Sequence, residues 1–132
     1  MGSPAFATIP KSAAVTINVA NANRTDAGTI PTILSAGAQG TKIERVRIKA
    51  TGTTTAGMVR LWKHNGSANF LLTERKVAAI VPSGSVAAFE DTVDFSTPDQ
   101  LLVLPPGWSL RASTHNAESF VITAEAADYP AP

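Results

Sequence analysis

The chain has 132 residues, 11 Lys and Arg against 10 Asp and Glu, 44% hydrophobic types, 16% charged types and no cysteine. A chain of this length folds as one domain and buries roughly two-thirds of its unfolded surface, so it needs no staples. Lack of cysteine excludes disulfides, thiolate nucleophiles and thiolate zinc sites. A net charge of +1 argues against a field-driven nucleic-acid binder, and no apolar run reaches the roughly 18 residues of a spanning helix.

The opening Met1-Gly2-Ser3-Pro4-Ala5-Phe6 lacks the basic and apolar regions of a signal peptide, and Phe6 stands where a myristoylation motif has Ser or Thr. Residues 1–13 hold Pro4, Pro10, several alanines and one charge, Lys11. Proline fixes φ and withholds a donor, so this stretch reads as an extended N-terminal arm. Phe6 and Ile9 are the anchors such an arm would order against a partner. Residues 14–129 read as one domain, and 130–132 as a short tail.

Val15, Ile17 and Val19 share one parity of a first strand, and Ile30 to Leu34 makes a second with Pro31 at an edge or start. From Ile43 to Ala50 the alternation is clearest. Val46, Ile48 and Ala50 point one way, and Arg45, Arg47 and Lys49 point the other. Met58 to His64 and Phe70 to Val77 flank an Asn65-Gly66 turn of hairpin type. Glu74 to Ile80 is the one stretch with room for two helical turns. Val86 to Phe95 is a further strand, with Asp91 on an otherwise apolar parity that suggests a bulge or an early end. Leu101 to Leu104 shows no alternation and reads as buried on both sides. Pro105-Pro106-Gly107 turns the chain into Trp108 to Thr114, and a hairpin leads into Ser119 to Ala126. Eight or nine short strands with almost no helix predict an all-β, antiparallel sandwich of jelly-roll type.

Little of the sequence carries chemistry. His64 and His115 each precede an Asn in a turn, and no metal-ligand spacing joins them to a carboxylate. There is no Gly-x-Ser-x-Gly motif and no phosphate-binding glycine loop. Glu90, Asp91 and Asp94 read as a solvated acidic strand face and not as a calcium loop. Arg60-Leu61-Trp62-Lys63 offers one aromatic among cations, which is not a single-strand platform. The expectation is a protein without catalytic residues, cofactor or metal, and with neither nucleic acid nor membrane as partner.

Charge is segregated along the chain. Residues 42–76 carry eight cations and two acids, a net of +6, while residues 90–128 carry seven acids and one arginine, a net of −6. Two readings follow. The charges pair across strands within one subunit, or they form complementary surfaces between copies or with a larger assembly. Arg45, Arg47, Lys49, Arg60, Trp62 and Lys63 are the interface candidates on the second reading. An alternative use of exposed Trp62, Trp108 and Tyr129 is stacking on sugar rings.

The segments from Ile43 to Leu61 and from Leu102 to Glu118, including Leu104-Pro105-Pro106-Gly107-Trp108, resemble a group of small tailed-bacteriophage virion proteins. The resemblance implies a virion component made in the host bacterial cytoplasm, and above all a capsid decoration (cement) protein. Its partner would be the major capsid protein or another virion protein, and the chain would form a dimer or trimer. A neck, tail or baseplate component, or a carbohydrate-binding sandwich for host adsorption, is the alternative.

Overall fold

The computed structural model describes residues 6–132 and contains nine strands, with one three-residue 3-10 turn at Pro98–Gln100 as its only helical element among the described residues. The strands are β1 (Ile9–Ile17), β2 (Thr32–Ser35), β3 (Thr41–Ala50), β4 (Gly57–His64), β5 (Asn69–Val77), β6 (Glu90–Asp94), β7 (Leu102–Leu104), β8 (Ser109–Thr114) and β9 (Phe120–Asp128). They form two antiparallel sheets. One runs β1-β9-β3-β6, with β7 also pairing β3; the other runs β2-β8-β4-β5. The stretch Glu74 to Ile80 makes no helix: β5 continues to Val77.

Alternation builds the core. Val46, Ile48, Ile122 and Phe120 from the first sheet face Val59, Leu61, Leu110 and Ala112 from the second, all fully buried. Leu102, Leu104 and Phe89 join them. Each large aliphatic side chain placed there gains about 1.5–3 kcal/mol over its exposed state. Three register shifts adjust the pattern: between Thr32 and Leu34 where β2 pairs β8, between Ile43 and Arg45 where β3 pairs β9, and between Leu61 and Trp62 where β4 pairs β5.

Three expectations need correction. The arm does not extend to residue 13: β1 starts at Ile9 and pairs residue for residue with β9, from Ile9 opposite Asp128 to Ile17 opposite Phe120. Pro10 fits because β1 is an edge strand, where a missing N–H need cost no ladder bond. Residues 1–5 of the expected arm lie outside the described residues. Leu101 to Leu104 is not buried on both sides: Leu102 and Leu104 point inward, while Leu101 and Val103 are exposed. Asp91 marks neither a bulge nor a strand end. It pairs with Ile48 and meets Arg75 of the facing sheet at 3.7 Å, at the edge where β5 and β6 face each other.

Candidate functional site

The outer face of the five-stranded sheet is laid out in four cross-strand rows. Pro10, Ala127, Lys42 and Val103 form the first, and Ser12, Glu125, Arg45 and Asp94 the second. Ala14, Thr123, Arg47 and Thr92 form the third, and Thr16, Val121, Lys49 and Glu90 the fourth. Every residue of these rows is exposed or half-buried. The basic row of β3 is thus flanked by acids on both sides. Arg47 Nε lies 2.9 Å from Glu125, a half-exposed pair worth under about 1 kcal/mol. Lys49 donates to the Ala88 carbonyl at 3.0 Å. A hydrogen bond from the Ser96 hydroxyl, then one from its backbone N–H and the charge of Arg45, hold the Asp94 carboxyl below its ordinary range. Much of the segregation along the chain therefore resolves as neighbouring charges on one sheet.

One end of this face is apolar. Phe6, Leu101 and Val103 are 68%, 56% and 45% exposed. With Ala7, Lys42 and Tyr129 they line a shallow cleft of about 240 Å³. Lys42 turns its ammonium to Glu44 at 3.4 Å. Ile9 is 49% exposed at the start of β1. Sequence reasoning singled out Phe6 and Ile9 but missed Leu101 and Val103. The missed signal is brevity: among the described residues this three-residue strand pairs only with β3, and its outward Val103 stays exposed.

The outer face of the other sheet is covered. After β1 the chain pairs Ala20 with Thr114 and then reaches across to β5, where Arg24 meets Glu74 and Asp26 accepts from Asn69. It returns to β8, where the Ala112 N–H donates to the Pro31 carbonyl at 3.1 Å. Asn21, itself buried, shapes the crossing. Its Nδ2 donates to the Ala27 and Thr29 carbonyls at 2.9 and 3.0 Å, and its Oδ1 accepts from the Asn23 N–H. Beneath this cover Trp62 is 1% exposed and Arg60 4%. Trp62 Nε1 donates to Ser113 Oγ at 2.9 Å, and Arg60 Nε to Glu74 at 2.9 Å. Neither side chain is exposed on this outer face. Alternation does place them on an outer face, but another segment lies on top.

Lys63 stands at the end of the sandwich, with Nζ 5.6 Å from the centre of the Trp108 ring. Trp108 in turn stacks on Phe70 at 6.5 Å. Of the three aromatics considered for sugars, Trp62 is therefore buried, Trp108 is stacked within the chain, and Tyr129 lines the apolar cleft. Among the described residues no three His, Asp or Glu side chains gather as a metal-binding group. His64 Nδ1 accepts from the Gly66 N–H at 3.2 Å, a turn contact. Compared with known proteins, the chain matches no family model and no curated sequence.

Proposed function

We propose that the chain is a non-enzymatic capsid decoration protein of jelly-roll type, which binds and stabilises neighbouring major capsid subunits on the virion. The jelly-roll reading rests on strand order. Successive strands alternate between the sheets, apart from the β4–β5 hairpin and the β6–β7 step, so that β1-β9-β3-β6 faces β2-β8-β4-β5. Two interleaved Greek keys generate that order.

The observation that carries the functional reading is the difference between the two outer faces. Among the described residues, one sheet is closed over by the chain's own residues 18–31, while the other is left open and ends in Phe6, Leu101 and Val103. Exposed large apolar residues that gather at one spot mark interaction surfaces. The adjacent charged rows suit orientation of a partner more than raw affinity. Homo-oligomers, dimeric or trimeric, would place several copies of this surface on a symmetric shell.

A three-dimensional reconstruction of the intact particle tests this. Density matching the sandwich on the capsid surface, with the β7 end against the shell, supports the reading. The same density at the neck, tail or baseplate would move the protein to that position, and no density anywhere on the particle would remove the virion role altogether.

A further inference from the structure

On the sheet opposite the open face, β4, β5 and the covering segment enclose a cleft of about 530 Å³. Its lining includes Arg24, Arg60, Lys76 and His115, with Glu74 as the one carboxylate among the lining residues. Strand parity explains the gathering. Glu74 and Lys76 share an outward face of β5 and stand opposite Arg60 and Met58 of β4.

Glu74 is shared. One oxygen accepts from Arg60 Nε at 2.9 Å, the other from Arg24 Nη2 at 2.9 Å. The two guanidiniums, Arg24 first, hold its carboxyl below the ordinary range, so its charge stays. Three cations against one carboxylate still leave the cleft with two surplus positive charges. Donors are in surplus too. Arg60 is 96% buried, since its exposure is 4%, and its Nη1 has no acceptor among the described residues. The buried His115 Nδ1, a donor or an acceptor according to its tautomer, has no partner among the described residues either. Arginine cannot shed its proton to escape this, and a buried charged donor without an acceptor is costly. What the cleft lacks is an acceptor with negative charge. Arg24 lines it with a side chain 71% exposed, held by a surface ion pair that breaks at little cost.

We propose that this cleft is a binding site for an oxyanion, the phosphate or carboxylate group of a ligand, bridging Arg60 Nη1 and Lys76 Nζ once Arg24 turns aside. Planar, multi-donor guanidinium suits two-oxygen recognition of either group. The site lies on the opposite sheet from the open face and does not depend on the virion reading.

The test is a titration of the ¹⁵N-labelled full chain at constant ionic strength, with inorganic phosphate in one arm and N-acetyl-aspartate amide in the other. Saturable shifts at the Gly57, Met58 and His115 amides and at Arg60 Nε–H are expected. Saturation by phosphate alone assigns a phosphate group, by the aspartate compound alone an acidic side chain, and by both a general oxyanion site. Lys76 is exposed, so Lys76→Gln keeps the fold; it should weaken binding about tenfold or more, the loss of one charged hydrogen bond. Lys42→Gln, on the other sheet, should leave affinity unchanged. No saturable shift with either anion overturns the proposal, as does binding that Lys76→Gln leaves intact.

Discussion

Lys11 and Asp128 lie 117 positions apart in the chain and meet at 3.2 Å. Lys11 also donates to the Ser35 carbonyl at 2.7 Å, and the Thr41 hydroxyl donates to Asp128. Thr41 Oγ1 in turn accepts the Gly37 N–H at 2.9 Å. One lysine and one aspartate thus tie β1, β2, β3 and β9 together at one end of the sandwich. The single charge of the N-terminal stretch acts as a clasp on the sheet edge, and that edge carries Phe6 and Ile9 beside the apolar cleft.

The clasp gives a pH dependence of known sign. The Thr41 hydroxyl first, then Lys11, hold the Asp128 carboxyl below its ordinary value of 3.8. A group whose folded-state value is depressed contributes stability in full above its unfolded value and loses it as pH falls through the folded one. Asp128→Asn should therefore lower the melting temperature at neutral pH, with the gap to the parent closing as pH drops below about 4. Thermal melts across pH 2–7 would show it; a gap that stays constant to the acid end argues against the clasp.

Leu61 and Leu110 are 0% exposed and project from neighbouring strands of one sheet into the core. Either one replaced by Ala should cost about 2–5 kcal/mol in urea unfolding. Unchanged midpoints for both would mean that the inward parity of β4 and β8 is wrong.

The cover over the second sheet hangs on Asn21. Asn21→Ala leaves two carbonyls without their donor and should cost about 1–3 kcal/mol. Gly28→Ala should also destabilise, because φ there is +76° and a Cβ would come within 2.7 Å of the Asn21 amide. In a Trp108→Phe background, the emission of Trp62 reports the cover directly. It should shift to the red in Asn21→Ala, and an unchanged spectrum would detach Asn21 from the burial of Trp62.

How much of this was legible depends on where period two holds. In β3, Val46, Ile48 and Ala50 alternate cleanly with Arg45, Arg47 and Lys49, and the strand, its buried face and its basic row follow directly. Asn65-Gly66 likewise marks the β4–β5 hairpin, with Gly66 at φ +101°. Pro10 pointed to an arm because proline is read as a strand breaker, but an edge position neutralises that penalty. The run Leu101 to Leu104 contains only apolar residues, so sequence cannot say which of them a lone edge strand leaves outside. Trp62 and Arg60 lie on the parity expected, but their burial comes from a non-periodic segment, whose only local signals are Asn21 and Gly28. The apolar cleft joins residues from the start of the chain to β7, a contact that no local pattern contains.

The basic row should act in orientation. Arg45→Glu with Arg47→Glu places like charges beside Glu125 and Asp94, at roughly 0.2–1 kcal/mol per opposed pair. The fold should survive this, while binding to isolated shells weakens and its salt dependence flattens, because exposed charges are screened beyond about 8 Å at physiological ionic strength. Normal binding at every salt concentration would reduce the row to in-sheet pairing alone.

The central claim, that the open face ends in a docking patch for the capsid, is tested most directly by co-sedimentation with shells lacking the protein. The comparison is the parent chain against a triple variant, Phe6→Ser, Leu101→Ser and Val103→Ser. All three side chains are exposed, so the melting temperature should move little. The account predicts that affinity for the shells falls about tenfold or more, the scale of losing even one anchor residue. A folded triple variant that sediments with the shells as tightly as the parent would contradict it.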